Sequence, residues 1–124
     1  MERKYKKMNV VFRKCKICGN VVLSRNSLKC CNEDMIELKA NSTDASFEKH
    51  IPSYEINDNK ITIKVNHVME EKHYIKWIMM VTEDEVFYKE LSIGEEAIAE
   101  FEYKGKCDIY SYCNLHDLWT IKVE

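Results

Sequence analysis

Apolar and polar residues alternate along most of the second two-thirds of the chain. In KITIKVNHV (residues 60–68), Ile61, Ile63, Val65 and His67 share one face of an extended backbone. The same alternation recurs in HYIKWIMMV, EVFYKEL, AIAEFEY, CDIYSYC and LWTIKV. A period of two predicts β-strands, and helical spacing fits these segments poorly. Strands that recur every ~8–12 residues favour an all-β antiparallel sandwich or barrel without a substantial helix.

The segment KANSTDAS (residues 39–46) carries no periodicity and is predicted to be a linker. Four of the six cysteines precede it, and all four histidines follow it. We therefore expect two parts: a small cysteine-bearing lobe at residues 1–40 and a β-sandwich domain at residues 41–124.

Composition limits the possible partners and the compartment. The 124 residues are 45% hydrophobic and 32% charged, with a formal net charge of −2 and interleaved signs. This balance predicts neither a nucleic-acid partner nor a membrane partner, and no apolar run reaches the ~18 residues of a spanning helix. The basic start, MERKYKKMNVVFRKC, lacks the apolar stretch of a secretory signal. We expect a cytoplasmic protein, in which cysteines favour metal ligation over disulfides.

The cysteines of the first part have the spacing C-x2-C-x11-C-C, formed by Cys15, Cys18, Cys30 and Cys31. Gly19 eases the turn after the second thiolate, and four thiolates form a closed tetrahedral site for zinc or a single iron. Adjacent cysteines project in divergent directions, so we expect widened angles at the second pair. The alternative interpretations of these four cysteines are a structural zinc site and, less favoured, a disulfide pair.

The histidines of the second part are His50, His67, His73 and His116, and Cys113 lies three residues before the last. His67 and His73 flank one strand connection, where they can converge at the edge of the sandwich. Four imidazoles and one thiolate exceed the four ligands of a structural zinc site. They suit iron or copper and leave one octahedral position open. Taken singly, each histidine would more often be a surface or core residue than a ligand.

Three motifs in this order, FEKHIP, NHVMEEKHYIKWI and YCNLHDLW, resemble the superoxide reductases. The limb CKICGN…KCC resembles the two-iron desulfoferrodoxin subclass of that family, so the resemblance extends from Cys15 to Trp119. It implies an immunoglobulin-like β-sandwich behind a small desulforedoxin-like lobe with an Fe(Cys)4 centre at the four N-terminal cysteines. It also implies two iron ions per chain and a homodimer. Zinc could replace iron as a mismetallation.

The resemblance further implies a reaction and a ligand set. The family reduces superoxide to hydrogen peroxide by one electron, without releasing dioxygen, and a rubredoxin-like protein is the implied electron donor. The implied ligands of the catalytic iron are four equatorial histidines and an axial cysteine, namely His50, His67, His73, His116 and Cys113.

Two residues of FEKHIP receive roles by the same motif match. Lys49 would attract superoxide by its charge and hold the water that protonates the product. Glu48 would occupy the sixth position of the oxidised iron. Pro52 would hold the exit of this loop. A solvated turn is the alternative interpretation of the motif.

The chain departs from the family pattern at two positions. Asp117 stands where glycine is usual, and Val68 where proline is common. Asp117 either adds a negative charge near the iron or meets an unusual backbone angle that aspartate tolerates. Trp77, Trp119 and Cys107 are predicted to be buried core residues.

Two other classes of function account for part of these features. An iron-based electron-transfer or redox-sensor protein would use the same centres without turnover. A non-catalytic metal-binding module would explain the four N-terminal cysteines but leave the histidines and Cys113 unexplained.

Overall fold

A computed structural model describes residues 10–45 and 47–124, and this part of the chain is almost entirely β-structure. It contains one single-turn helix, α1 (Phe47–His50). The strands are β1 (Phe12–Lys14), β2 (Val21–Leu23), β3 (Lys29–Cys30), β4 (Glu33–Asp34), β5 (Ile36–Glu37), β6 (Pro52–Asn57), β7 (Lys60–Val65), β8 (Ile75–Val81), β9 (Val86–Glu90), β10 (Ile98–Glu102), β11 (Cys107–Cys113) and β12 (Asp117–Val123). The described residues divide into two compact units, the first ending at Lys39 and the second beginning at Ala40.

The first unit is a small antiparallel lobe. Its three-stranded sheet has the order β2-β1-β5, and β3 and β4 form a separate hairpin. The buried apolar residues of this unit are Phe12, Cys15 and Met35. Such a core is small for an independent fold, because chains below about 40 residues usually need a metal or disulfides to remain folded.

The second unit is a sandwich of two antiparallel sheets, which confirms the predicted fold class. One sheet has the order β10-β7-β6 and the other the order β12-β11-β8-β9. Side chains of both sheets form one buried cluster, with Ile61, Ile63 and Ala99 from the first and Ile78, Met80 and Ile109 from the second. Trp77, Trp119 and Cys107 are buried, as the sequence predicts.

Each of the six alternating segments contains one strand, but β6 was not predicted. It is an edge strand of its sheet, and of its six residues only Pro52 is buried. An edge strand that faces solvent need not alternate, so periodicity does not reveal it. The strands β8 and β11 depart from simple alternation because they are buried and not because they are exposed. For example, β11 is buried at all seven positions. Both are central strands covered on two faces.

The segment predicted to be a linker is fixed to the sandwich where the structure describes it. The Asn41 side chain accepts a hydrogen bond from the Thr120 N–H at 2.9 Å and donates to the Thr120 carbonyl at 3.1 Å. The Asn41 N–H donates to the Leu118 carbonyl at 2.9 Å. Asn41 itself has a φ of 61°, a left-handed conformation that asparagine tolerates. The polar composition of this segment therefore indicates a lack of strand structure where the segment is described, but it does not indicate a lack of fixed structure.

The topology brings several loops to one end of the sandwich. Antiparallel pairing places the start of β6 opposite the end of β7, and the end of β11 opposite the starts of β8 and β12. The histidines and Cys113 lie at these strand ends. His50 precedes β6, His67 follows β7, His73 precedes β8, Cys113 ends β11 and His116 precedes β12.

Candidate metal centres

The four imidazoles form a closed ring at this end of the sandwich. Centroid distances are 4.7 Å for His50 and His67, 4.4 Å for His67 and His73, 5.1 Å for His73 and His116, and 4.8 Å for His116 and His50. Across the ring, His50 and His73 are 6.1 Å apart. Four neighbours at similar spacing with a longer diagonal describe a square, which is the arrangement of equatorial ligands.

Ring nitrogens converge inside this square together with the Cys113 sulfur. His50 Nε2 lies 3.0 Å from His116 Nδ1, and His67 Nε2 lies 3.1 Å from His73 Nε2. Nitrogens at about 2.1 Å from a central ion, at right angles, would be about 3.0 Å apart. Cys113 Sγ lies 3.5 Å from His67 Nε2 and 3.8 Å from His116 Nδ1. The donor set therefore fits one metal ion with four nitrogens and one sulfur.

Among the described residues, the tightest set of convergent ligand atoms at this end holds only three of the histidines. The ligand atoms of His50, His67, His73 and Cys113 all lie within 4.8 Å of one another. His116 is outside that set, although its Nδ1 lies within 4 Å of two members. We include His116 in the site, because its Nδ1 lies as close to His50 Nε2 as neighbouring ligands of one ion lie to each other.

The tautomer of His67 is determined by a hydrogen bond to the backbone of the next residue. His67 Nδ1 donates a hydrogen bond to the Val68 carbonyl oxygen at 2.5 Å, so Nε2 carries the lone pair that faces the other ligands. Burial lowers the pKa of His67, and the neighbouring histidines act in the same direction. A neutral imidazole with an oriented lone pair is the form that binds a metal.

The turn between β11 and β12 carries two of the candidate ligands. Cys113 pairs with Asp117 across a three-residue loop, and Asp117 has a φ of 63°. This is the usual position for a left-handed residue that closes such a hairpin loop. Cys113 is fully buried, which raises the pKa of its thiol, whereas the backbone N–H groups of Leu115 and His116 lower it. These two amides are the sulfur hydrogen bonds that sequence alone does not reveal.

Asn114, between the two candidate ligands of this turn, was not predicted from the sequence. Its side-chain oxygen accepts from the Tyr74 N–H at 2.9 Å, and its side-chain nitrogen donates to the Lys72 carbonyl at 3.0 Å. These bonds hold the backbone on both sides of His73 against the turn that carries Cys113. An asparagine in a short turn has no distinguishing signal in a single sequence, because turns favour it for local reasons.

The four N-terminal cysteines form the second cluster. Their sulfurs lie within 4.8 Å of one another, and all six cysteines of the chain are free thiols. The first limb is a tight turn in which the Gly19 N–H donates to the Cys15 carbonyl at 2.9 Å, and Gly19 has a φ of 78°. Sulfurs in a regular tetrahedron at about 2.3 Å from an ion are about 3.8 Å apart. The Cys18–Cys30 sulfur distance of 3.7 Å fits this geometry.

The second limb shows how adjacent cysteines approach the same point. Cys31 and Asn32 connect β3 to β4 with φ values of 53° and 63°, the two-residue turn with both residues left-handed. This turn reverses the side-chain direction of Cys31, so that its sulfur lies 4.0 Å from that of Cys30. That distance is slightly longer than a regular tetrahedron requires, in agreement with the expected widened angle.

The thiols of this cluster do not titrate alike. The Cys18 N–H, 3.5 Å from the Cys15 sulfur, is the main cause that lowers the pKa of Cys15 to about 7. The side-chain hydrogen bonds of Cys15 and Cys18 raise the pKa of Cys30 to about 12. One thiolate thus discourages the ionisation of its neighbours, and a bound cation is needed to make all four anionic.

Glu48 and Lys49 lie on α1, directly before His50. Both side chains are exposed, whereas His50 is buried. Glu48 does not belong to the convergent ligand set of the described residues. The structure thus places both residues on the solvent side of a candidate ligand.

Comparison with known proteins identifies the family. The desulfoferrodoxin family model matches residues 42–122. The chain belongs to the desulfoferrodoxin family. It is 41% identical over 120 residues to a desulfoferrodoxin homolog of Methanothermobacter thermautotrophicus, covering 90% of this chain and 96% of the relative. It is 40% identical over 114 residues to the desulfoferrodoxin of Nitratidesulfovibrio vulgaris, covering 86% and 90%.

Solved superoxide reductases have the same fold. The enzyme from Treponema pallidum superposes with a TM-score of 0.76 at 25% identity, covering 92% of this chain and 99% of that one. The superoxide reductase from Giardia intestinalis gives a TM-score of 0.54 at 26% identity and covers 62% of this chain and 98% of that one. These findings confirm the resemblance to the superoxide reductases and the desulfoferrodoxin type of chain. Within the described residues, no helix is long and apolar enough to cross a membrane.

Both departures from the family pattern have a backbone explanation. The left-handed φ of Asp117 is why glycine suits that position, and aspartate is among the residues that tolerate it. Val68 contributes its carbonyl oxygen to His67, and valine supplies that oxygen as well as proline does. Neither departure removes a candidate ligand.

Proposed function

We propose that this desulfoferrodoxin is a superoxide reductase that converts superoxide to hydrogen peroxide without releasing dioxygen. The square of four imidazoles with the Cys113 sulfur 3.5 Å from His67 Nε2 carries the proposal, since five protein ligands would leave one position of an octahedral ion for a small anion. The similarity to the superoxide reductase from Treponema pallidum supports it.

The proposed catalytic ion is iron, held by His50, His67, His73, His116 and Cys113. Ferrous iron there would supply the one electron that superoxide needs, and two protons complete the peroxide. Imidazole and thiolate donors suit iron, and the neutral imidazoles leave the thiolate as the ligand charge. The Leu115 and His116 amides donate to that sulfur and limit its electron donation.

Exposed charged groups would control access to this site. The Lys49 ammonium would attract superoxide and hold a water near it for proton delivery. The Glu48 carboxylate would cap the oxidised site, because a hard oxygen donor prefers the higher charge. Both residues are exposed next to a buried ligand, which supports these roles.

A second iron ion at the four N-terminal cysteines would relay electrons or support the lobe. A rubredoxin-like protein is the proposed donor, and a homodimer in a reducing cytoplasm is the proposed state. The free thiols of the cluster and their near-tetrahedral spacing support this assignment of the metal site.

The product stoichiometry tests the proposed reaction. A known amount of superoxide is mixed with the reduced, iron-loaded protein, and peroxide and dioxygen are measured together. We expect one peroxide for each superoxide consumed and no dioxygen beyond the spontaneous background. Dioxygen at half the consumed superoxide would indicate a dismutase. Oxidation of the iron without turnover when a donor is supplied would indicate an electron carrier or sensor.

Replacing Lys49 tests the proposed attraction of the anion. We expect Lys49→Ala to reduce the second-order rate with superoxide by about tenfold at low ionic strength, the lower end of electrostatic steering. The deficit should shrink as salt is added. Lys60→Ala is the matched control, since Lys60 lies at the opposite end of β7 in an exposed ion pair with Glu100. Equal rates for the two variants at low salt would contradict the role of Lys49.

A further inference from the structure

One aromatic side chain, Trp119, contacts two of the four histidines. Its ring stacks on the His50 imidazole with centroids 4.9 Å apart and planes inclined by 22°. Its indole N–H donates a hydrogen bond to the His116 carbonyl oxygen at 3.0 Å. His50 and His116 are 66 residues apart in the sequence. One rigid side chain therefore contacts two candidate ligands that are far apart in the sequence.

Ser111 supports the same ligand from the neighbouring strand. Ser111 pairs with Trp119 in the β11–β12 ladder and is fully buried. Its hydroxyl donates to the His50 carbonyl oxygen at 3.2 Å. The imidazole of His50 thus rests on Trp119, and its backbone is tied to Ser111. Both supports belong to regular strands of the four-stranded sheet.

His50 depends on such supports more than Cys113 and His116 do. It ends a helix of four residues, which is too short to be stable by itself. Its neighbours Glu48 and Lys49 are exposed, so the segment before it contributes little buried surface. Cys113 and His116, by contrast, belong to a hairpin turn closed by a strand pair.

We propose that Trp119, assisted by Ser111, is a positioning residue that holds His50 and His116 in the metal-binding geometry. Its role goes beyond filling the core: it joins the α1 loop to the hairpin that carries Cys113. The proposal concerns how the metal is held, so it stands or falls independently of the reaction assigned to the site.

Substitutions at Trp119 separate its two contacts. Trp119→Phe retains an aromatic ring for stacking and removes the indole N–H, whereas Trp119→Leu removes both contacts. Trp77→Phe is the matched control, because Trp77 is also a buried tryptophan of the same sheet but stacks on Tyr112. Ser111→Ala is compared with Ser53→Ala, which removes an exposed hydroxyl-to-carbonyl bond of the same length, 3.2 Å, to Lys64.

The readout is the rate at which each centre loses iron to a chelator, followed by its own ferric–thiolate band. We expect the histidine centre to lose iron about 10- to 100-fold faster in Trp119→Leu, the usual effect of removing a supporting residue. Trp119→Phe and Ser111→Ala should each accelerate the loss by about 2- to 10-fold. The rate for the four-cysteine centre should stay unchanged in every variant, as an internal control.

Two outcomes would overturn the proposal. If Trp119→Leu loses iron from the histidine centre no faster than Trp77→Phe does, the contacts of Trp119 do not position the ligands. If the two centres of Trp119→Leu lose iron at rates increased by the same factor, the tryptophan only supports the fold.

Discussion

Cys113→Ser is expected to eliminate the visible ferric–thiolate band of the histidine centre while the bands of the four-cysteine centre remain. Among the described residues, Cys113 provides the one sulfur of the convergent ligand atoms at that end of the sandwich. A serine hydroxyl at this position cannot provide the same charge transfer, and it is a harder and less acidic donor. The spectrum of the oxidised, iron-loaded variant gives the result directly.

The same variant should lose affinity for iron at this centre by more than about 100-fold, since even supporting residues of metal sites are worth 10–100-fold. Reduction of superoxide should decline with it. We expect these losses to come from the missing sulfur and not from a disrupted hairpin. Cys113 ends β11 with its backbone paired to Asp117, and serine can keep that pairing. Equilibrium dialysis of iron against the variant measures the affinity independently of activity.

Cys107→Ser provides a control in the same strand. Cys107 begins β11, is buried, and has its pKa raised to about 11 by burial and by Asp108, so its thiol is protonated. Cys107→Ser should therefore cost stability, measured as a lower midpoint of thermal unfolding, and leave both sets of bands intact. If Cys113→Ser retained the band, or if Cys107→Ser abolished it, the assignment of the sulfur ligand would be wrong.

The sequence predicts which residue types meet at the histidine site, but not what holds them. His67 and His73 can be placed near strand ends because period-two alternation locates β7 and β8, although it extends each strand by two residues to include the histidine. The supports are different: the Asn114 amide bonds to backbone on either side of His73, and the indole of Trp119 stacks on His50. Both depend on contacts between segments distant in the sequence, and neither residue type is unusual where it stands.

The conformation of Cys31 illustrates the same limit in the first unit. Two consecutive cysteines suggest divergent side chains, because residues of an extended or helical segment project in different directions. The structure resolves this through left-handed φ angles at Cys31 and Asn32. Asparagine is a usual residue in such a turn, so CN between short strands could have indicated it. The strands β3 and β4 have only two residues each, too few for any periodicity.

Removing the metal from the four-cysteine cluster is expected to unfold residues 10–39 and leave the sandwich folded. The lobe buries few apolar residues, and Ile17, Leu23, Leu28 and Ile36 are exposed in it. A structural metal of this type contributes about 10–16 kcal/mol to folding, more than so small a core supplies. Hydrogen exchange of the backbone amides, resolved by peptide, measures both units in one sample.

The double variant Cys18→Ser with Cys31→Ser tests this without disturbing the core, because both side chains are exposed. We expect amides of β1, β2 and β5 to exchange at the rates of an unfolded chain, whereas those of β8 and β11 keep their protection. Ile17→Ser is the control: it changes an exposed residue of the same turn and should leave the lobe protected. Protected amides in the metal-free double variant would mean that Phe12 and Met35 form a sufficient core. The cluster would then serve electron transfer and not folding.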